Sequence, residues 1–392
     1  MTAPRTLERE EPNYYGAGPA LLPTDVLQQA AYDLISYHGD SVGVGEISHR
    51  SKPATAIIDD TKNNLKQLLS IPDDYEVFFL QGGGTGGFSA IVQNMMAHYA
   101  KKTGRKGKAA YAVTGSWSAK ALEEAKRLGF DAYPVVNTKS EHYSDIPPFS
   151  KWEQIKEDTA YLWVCDNETV HGNEFQTVPD SSYLPKDVPL IADMSSNILS
   201  KEIDVSKYGA IMAGAQKNIG IAGLTIYIVR KDLLDQATDE QLKSLDISLL
   251  PIAFSFPVVV KNNSAYNTIP LFTCQILKLV TEKLIKEGGV KAVEKTNNQK
   301  AKLLYDALDA TSNFYTLPVK NPNVRSNMNV VFKTPSEELD AKFVKDAETQ
   351  QLKGLKGHRS VGGIRASIYN AVTLESVEKL VQFVKDFAEK NA

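Results

Sequence analysis

The chain is poor in cysteine and has no long hydrophobic run. Its 392 residues include only two cysteines, Cys165 and Cys274, and both lie inside apolar segments. We therefore expect no disulfide framework. We expect the protein to work in a reducing compartment such as the cytoplasm. Residues 1–13 are charged and polar without the apolar core of an export signal, and no apolar run is long enough to span a bilayer. We therefore expect neither export nor membrane insertion.

The chain also lacks an excess of charge of either sign. It has 44 basic and 47 acidic residues, for a net charge of -3. This balance provides no electrostatic footprint for nucleic acid or for an acidic membrane surface. The sequence shows no internal repeats, low-complexity tracts or long charge blocks, and no metal site is predicted. Because 42% of the residues are hydrophobic, the chain can form a large core and two domains, and small-molecule chemistry is the better expectation.

Apolar segments alternate with helical patterns over most of the chain, which predicts an α/β fold. Apolar residues recur at helical spacing at 24–36, 52–69, 88–99, 119–128 and 271–287. Short apolar runs predict strands at 76–80, 109–114, 131–136, 161–165, 189–193, 210–213 and 224–229. This order predicts a mostly parallel sheet of seven strands packed between helices.

The pattern changes near residue 290. It then predicts a helix, a strand at 328–332, a helix at 336–352, a strand at 364–368 and a last helix at 373–390. Such an order is typical of a smaller α+β domain. We therefore predict a large domain at 24–290 and a small domain formed by 1–23 and 291–392.

A glycine-rich loop at 81–87 separates the strand at 76–80 from the helix that follows. Gly82, Gly84 and Gly87 match the G-x-G-x-x-G dinucleotide fingerprint, but residues 97–118 contain no Asp or Glu to hold a nicotinamide ribose. No Gly-Lys-Ser/Thr follows, so the loop is not a P-loop. What remains is a turn whose N–H groups and helix dipole favour a bound phosphate. A glycine turn needed only for tight helix packing is the alternative.

One lysine stands between glycines just after an apolar strand. The segment Gly214-Ala215-Gln216-Lys217-Asn218-Ile219-Gly220 makes Lys217 a candidate amine nucleophile, and Asp193 ends another apolar run, at 188–192. Pyridoxal phosphate needs an amine to form a Schiff base with its aldehyde and an anion beside its ring nitrogen. The pair therefore predicts a pyridoxal phosphate site. Taken singly, Lys217 could be a solvated surface charge and Asp193 a helix cap.

Three more residues follow predicted strands and carry side chains that suit the same cofactor. Trp117 can lay its indole over an aromatic ring, Thr169 can bond a phenolic oxygen, and Gln216 can reach a phosphate oxygen. A core tryptophan and an ordinary turn threonine are the alternatives for the first two. Only the combination with Lys217 and Asp193 favours the functional interpretation.

Two segments each join a histidine to an arginine. They are Ser48-His49-Arg50 and the run at 356–365, which contains His358, Arg359 and Arg365. Guanidinium groups bind carboxylate or phosphate with paired hydrogen bonds, and an imidazole adds a donor. If the segments converge, these side chains exceed what one carboxylate needs, so the substrate would carry a carboxylate and a second anion such as a phosphate. Unrelated surface charges are the alternative for any one of them.

Taken together, five segments resemble the phosphoserine aminotransferase family of class-V, pyridoxal phosphate-dependent enzymes. They are Gly82-Gly83-Gly84, Asn167-Glu168-Thr169, Asp193-x-Ser195-Ser196, Gly214-Ala215-Gln216-Lys217-Asn218, and Gly357-His358-Arg359 with Arg365-Ala366-Ser367. The resemblance runs nearly end to end. It implies the fold-type I architecture, a homodimer with active sites at the subunit interface, and exchange of an amino group between glutamate and 3-phosphohydroxypyruvate in serine biosynthesis.

The resemblance also implies roles for individual residues. Lys217 would form the Schiff base, Asp193 would pair with the ring nitrogen, and Trp117 would stack on the ring, with Thr169 on the ring hydroxyl. The cofactor phosphate would be held by Gly84, Thr85 and Gln216, joined by Asn267 and Thr268 of a second subunit.

The resemblance implies substrate contacts as well. The substrate α-carboxylate would be bound by Arg365, and its distal phosphate or γ-carboxylate by His49, Arg50, His358 and Arg359. Some bacterial members carry Arg where this chain has Thr85, which puts a side-chain contact there in doubt.

Three rival functions use parts of the same pattern. Another aminotransferase of this fold, acting on serine, alanine or glyoxylate, would not need the His-Arg segments. A non-catalytic phosphate-binding module would use the glycine loop without Lys217. A cysteine desulfurase is disfavoured because neither Cys165 nor Cys274 is predicted to lie on a mobile loop.

Overall fold

The structure is a computed structural model and describes residues 8–392. In that range the α-helices are α1 (Thr24–Ile35), α2 (Lys52–Leu69), α3 (Gly83–Thr103), α4 (Ser116–Arg127), α5 (Asp239–Ser244), α6 (Phe256–Lys261), α7 (Leu271–Lys286), α8 (Gly289–Ala310), α9 (Glu337–Thr349) and α10 (Leu374–Asn391). The strands are β1 (Asn13–Tyr14), β2 (Tyr75–Leu80), β3 (Lys108–Val113), β4 (Asp131–Asn137), β5 (Thr159–Cys165), β6 (Asn167–Glu168), β7 (Asn173–Glu174), β8 (Leu190–Asp193), β9 (Ala210–Gly214), β10 (Thr225–Arg230), β11 (Asn329–Phe332), β12 (Leu352–Lys353) and β13 (Ile364–Ser367).

Seven of the strands in residues 8–392 form one sheet in the order β2-β10-β9-β8-β5-β3-β4. Of these seven, β10 alone runs antiparallel to its neighbours β2 and β9. The predicted mostly parallel, seven-stranded α/β sheet is therefore confirmed. Each of the seven predicted strands is present, with ends shifted by no more than two residues.

The strands of this sheet are apolar on both faces because helices cover both. Along β2, Phe78 and Leu80 pack in the cluster that includes Phe88 and Ile91 of α3. Val77 and Phe79 point the other way, into the cluster shared with α2 and α7. Successive side chains of a strand point to opposite faces, so a near-continuous apolar run is what a two-sided core requires.

The C-terminal part of the chain has a hydrophobic cluster of its own. It is built from α8, α9, α10 and the antiparallel pair β11–β13, and Tyr15 contributes to it from the N-terminal side. Near Tyr15, β1 pairs in parallel with β12. These contacts support the proposed small domain of 1–23 and 291–392, of which residues 1–7 lie outside the described residues, beside the proposed large domain of 24–290.

Some local features differ from the predictions. The helix predicted at 336–352 ends at Thr349, since Gln351 has a left-handed backbone (φ 62°) and β12 follows. The helix predicted after the change of pattern near residue 290 begins at Gly289. The two-residue pairs β1–β12 and β6–β7 and the six-residue helices α5 and α6 were not predicted, because elements this short show no periodicity. No helix in the described part of the chain has the length and apolar character needed to cross a membrane.

A buried polar network joins the C-terminal cluster to the large sheet. Asn329 of β11 donates through Nδ2 to Ser367 Oγ at 2.9 Å and to Tyr369 Oη at 3.1 Å. Its Oδ1 accepts a bond of 2.8 Å from Asn167, which follows β5 and also donates to Ser196 Oγ at 2.7 Å. Buried amides are costly when unpaired, so this network holds the two parts of the chain in one arrangement.

We expect Asn329→Ala to lower the free energy of unfolding by about 2–4 kcal/mol, because several buried groups lose a partner at about 1–3 kcal/mol each. Urea unfolding measures the change. Asn298→Ala is the control, since Asn298 is exposed and makes a surface bond to Asn327. Equal stabilities of the two variants would show that the network does not stabilise the fold.

Candidate active site

Two adjoining cavities lie at the carboxyl ends of the parallel strands, the edge where open α/β sheets bind ligands. The inner cavity measures about 220 Å³ and the outer cavity about 600 Å³. Both are lined by Gly82, Gly83, Trp117, Gln216 and Lys217. The strand ends therefore bring together residues that are far apart in sequence.

Lys217 lies in the turn that follows β9, with its half-buried side chain lining both cavities. Its Nζ donates a hydrogen bond of 2.8 Å to Thr169 Oγ1 and lies 5.2 Å from the centre of the Trp117 ring. Burial lowers the pKa of Lys217, and the nearby carboxylate of Asp193 offsets part of that effect. A lower pKa leaves more of the amine neutral, which is the form that acts as a nucleophile or a base.

Asp193 ends β8 and faces the inner cavity. Its Oδ1 accepts hydrogen bonds from the N–H of Ser195 at 2.9 Å and from Ser195 Oγ at 2.6 Å. Burial raises the pKa of Asp193, and the Ser195 bonds oppose the change. The cap anticipated for this turn is thus present, and the same carboxylate also lines the cavity. The capping bonds and a place on the cavity wall are therefore compatible.

The glycine loop also lines the inner cavity. Gly82 and Gly83 have positive φ values of 114° and 59°, which side chains rarely adopt. The first turn of α3 then places Gly84 and Thr85 on the cavity. A helix N-terminus presents free N–H groups and a positive dipole end, so this wall suits an anion. Gly87 has the packing role that was the alternative for the loop, because a Cβ there would come within 2.5 Å of Met212 Sδ.

The outer cavity carries positive charge from the C-terminal part of the chain. Arg365 of β13 and His358 line it, and Arg365 Nη1 donates to the carbonyl of Thr169 at 3.3 Å. Burial lowers the pKa of Arg365, and burial together with the charges of Arg365, Arg359 and Lys120 lowers the pKa of His358. An anionic ligand in this cavity would meet a guanidinium beside the Lys217 amine.

Five of the predicted site residues line neither cavity. His49 and Arg50 lie in the loop between α1 and α2, and Arg359 is exposed next to His358. Asn267 and Thr268 lie on an exposed loop before α7. That loop contacts Gln81, which bonds the Asn267 side chain at 3.0 Å and the Thr268 carbonyl at 3.3 Å.

Glu168 is a site residue to which the sequence pattern assigned no role. Its carboxylate is fully buried and accepts bonds from the N–H of Trp117 (2.9 Å), the N–H of Ser118 (2.8 Å) and Ser118 Oγ (2.6 Å). Burial raises the pKa of Glu168, and these three bonds oppose the change. Glu168 thereby ties the start of α4, which carries Trp117, to the segment that carries Thr169. An acid just after a fully apolar strand is the signal that could have indicated it.

We expect Glu168→Gln to weaken the attachment of Trp117. Both carboxylate oxygens of Glu168 accept hydrogen bonds, whereas in glutamine one of them is replaced by an NH₂ group, which cannot accept. Stability to urea should fall by about 1–3 kcal/mol, the usual cost of one unpaired buried group. Affinity for added pyridoxal phosphate should fall with it, as followed by tryptophan fluorescence. Glu157→Gln, at an exposed position, is the matched control. Identical titrations for both variants would contradict this role of Glu168.

Comparison with known proteins identifies the family. The model of the family "Aminotransferase class-V" matches residues 13–380. The chain is 54% identical to a phosphoserine aminotransferase of Saccharomyces cerevisiae, over 99% of the chain and 100% of that protein, and 45% identical to one of Nitrosomonas europaea, over 96% and 98%.

Solved structures agree with this assignment. The phosphoserine aminotransferase of Bacillus circulans subsp. alkalophilus superposes with a TM-score of 0.88 at 39% identity, covering 97% of this chain and 99% of that one. The PLP-bound phosphoserine aminotransferase of Trichomonas vaginalis superposes with a TM-score of 0.84 at 36% identity, covering 95% and 99%. This chain therefore belongs to the class-V aminotransferase family and, within it, to the phosphoserine aminotransferases.

Proposed function

We propose that this protein is a pyridoxal phosphate-dependent phosphoserine aminotransferase. It exchanges an amino group between L-glutamate and 3-phosphohydroxypyruvate, giving O-phospho-L-serine and 2-oxoglutarate in L-serine biosynthesis. The observation that carries this proposal is the placement of Lys217 between the inner cavity, which contains Asp193, and the outer cavity, which contains Arg365.

The inner cavity fits pyridoxal phosphate in charge and in shape. The N-terminus of α3 suits the phosphate, the Asp193 carboxylate suits the ring nitrogen, and the Trp117 ring suits stacking. Trp117 Nε1 is buried without a hydrogen-bond partner among residues 8–392, so it is available to a ligand. When bound, the cofactor supplies an aldehyde that combines with amines and a cationic ring that accepts electrons from the substrate α-carbon.

The residues of the chain supply the proton transfer and hold the cofactor in place. Lys217 Nζ takes the proton from the α-carbon of the amino donor in the first half-reaction and delivers a proton to the α-carbon of the amino acid formed in the second. The Thr169 hydroxyl orients that amine, and the Asp193 carboxylate keeps a negative charge beside the ring nitrogen. Gly84, Thr85 and Gln216 hold the phosphate. Because the amino group stays on the enzyme between the two half-reactions, two-stage ping-pong kinetics are expected.

Basic residues bind the anionic groups of the substrates. Arg365 lies beside Lys217 and takes the α-carboxylate, while His358 and Arg359 take the distal phosphate of phosphoserine or the γ-carboxylate of glutamate. We assign His49 and Arg50 to the same distal group. Because neither lines a cavity of its own protomer, we propose that they reach the cavity of a second copy.

Exposed apolar side chains support a homodimer of this kind. In and after α1, close in sequence to His49 and Arg50, Ile35 is 76% exposed and Tyr32 is 61% exposed, with Leu34 and Val42 nearby. The loop that carries Asn267 and Thr268 also exposes Tyr266, and Leu249 and Ile252 are exposed upstream. Large exposed apolar side chains mark interfaces. We propose that Asn267 and Thr268 reach the cofactor phosphate of the second subunit. We also propose that the enzyme works in the cytoplasm.

We expect Lys217→Ala to abolish turnover, because loss of a general base alone costs about 10²–10⁴-fold. Asp193→Asn should reduce turnover severely, because the ring nitrogen loses its anionic partner. Production of 2-oxoglutarate from glutamate and the phosphorylated keto acid measures the rate. Lys207→Ala, which removes an exposed lysine, is the control. An Asp193→Asn enzyme with undiminished turnover would remove the role assigned to that carboxylate.

We expect the parent enzyme to prefer phosphoserine over serine as amino donor. Arg359→Ala should lower kcat/KM for phosphoserine by roughly 10- to 100-fold, since a charged hydrogen bond contributes about 1.5–3 kcal/mol, and should leave the serine reaction unchanged. Arg127→Ala, at an exposed arginine paired with Glu124, is the control. Equal reactivity of both donors in the parent enzyme would show that the phosphate pocket is wrongly assigned and favour an aminotransferase of serine, alanine or glyoxylate.

A further inference from the structure

Lys300, in the middle of α8, is a lysine with no exposed surface. Its Nζ donates to three backbone carbonyls: that of Ile368 at 3.0 Å, that of Tyr369 at 2.8 Å and that of Val372 at 2.9 Å. No carboxylate of residues 8–392 forms a salt bridge with it, in contrast to the half-buried Lys201, which contacts Asp166 and Glu174. The chain therefore buries a cation whose partners are neutral oxygens.

A buried ammonium is expensive unless every N–H group finds an acceptor. Burial lowers the pKa of Lys300 to about 7. Three carbonyl acceptors favour the protonated form in return, because the ammonium has three N–H groups and the neutral amine has only two. The number and the distances of the acceptors thus match a cation at this position.

Several backbone carbonyls converging on one point also form the environment that proteins use to replace the hydration shell of a monovalent metal ion. At 368–372 the chain curls so that the carbonyls of Ile368, Tyr369 and Val372 point at one site, and α8 delivers the ammonium to it. We propose that the Lys300 ammonium is a built-in monovalent cation that holds the 368–372 loop in shape and thereby positions the active site.

The loop connects this cation directly to the two sides of the outer cavity. It begins immediately after β13, which carries Arg365. Within it, Tyr369 Oη donates to the carbonyl of Ala17 at 2.9 Å, and Ala17 lines the outer cavity. The N–H of Asn370 donates to Asn218 Oδ1 at 2.9 Å, and Asn218 follows Lys217. A loop that loses its central cation would therefore loosen both the substrate arginine and the turn that carries the reactive amine.

The test is chemical rescue of Lys300→Ala in the full-length holoenzyme. The substitution removes three methylene groups and the ammonium, which are the atoms of n-propylammonium. We expect the variant to lose roughly tenfold or more in kcat/KM for phosphoserine and to unfold at a lower temperature, because three carbonyls lose their partner. Potassium, ammonium or n-propylammonium chloride should restore much of both quantities. Tetramethylammonium chloride at the same ionic strength has no N–H and is too large, so it should restore neither.

Two controls separate this site from general salt effects. Lys302→Ala removes an exposed lysine from the same helix and should match the parent enzyme in every salt. The parent enzyme in the same salts corrects for reaction of the added amine with the cofactor. Lys300→Met keeps the apolar stem but fills the site, so it should be impaired and should not respond to any cation.

Each outcome decides the proposal. Selective recovery of Lys300→Ala by the small cations supports it, including recovery from an insoluble or unfolded starting protein. Parent-like activity of Lys300→Met would overturn it, as would a Lys300→Ala protein that is equally impaired in every salt. Thermal unfolding does not depend on the proposed reaction, so rescue of stability without activity would leave the cation site standing and count against its role in positioning.

Discussion

The active site depends on two strand ends that one serine ties together. Ser195 Oγ donates to the Asp193 carboxylate at the end of β8 and accepts the N–H of Gly214 at the end of β9, at 2.6 and 2.9 Å. Neither strand end can shift without breaking a buried hydrogen bond. The distance between the carboxylate and the turn that carries Lys217 is thereby fixed. A pyridoxal phosphate enzyme needs this fixed distance, because the amine acts at the aldehyde while the carboxylate acts at the ring nitrogen.

The inner cavity is lined by groups of opposite electrostatic sign. The N-terminus of α3 supplies positive potential, and Asp193 supplies negative charge. Burial strengthens both, since little water is present to screen them, and it shifts the pKa of Lys217 down and that of Asp193 up. A ligand with a phosphate at one end and a cationic ring at the other fits this arrangement.

Much of the fold was predictable because its signals are local. The apolar residues Phe88, Ile91 and Met95 recur at helical spacing, and they are the residues that pack α3 on the sheet. The run at 210–213 is apolar without interruption, and β9 is buried on both faces. The glycine loop, Asp193 and Lys217 each follow such a strand, so their meeting at one edge followed from the parallel sheet. Element ends were less predictable where a single backbone angle ends the helix, as at Gln351.

The sequence pattern was sufficient for the type of each element and for the polar residues at the strand ends, since backbone periodicity and side-chain chemistry are properties of neighbouring residues. It was not sufficient for Glu168, whose partners lie about 50 positions away, or for Lys300, whose acceptor carbonyls lie 68 to 72 positions away. A buried charge is stable only where the folded chain brings enough hydrogen-bonding groups to it. Those groups come from segments that meet only after the sheet and the C-terminal helices have packed, so the tertiary arrangement determines where such residues are placed.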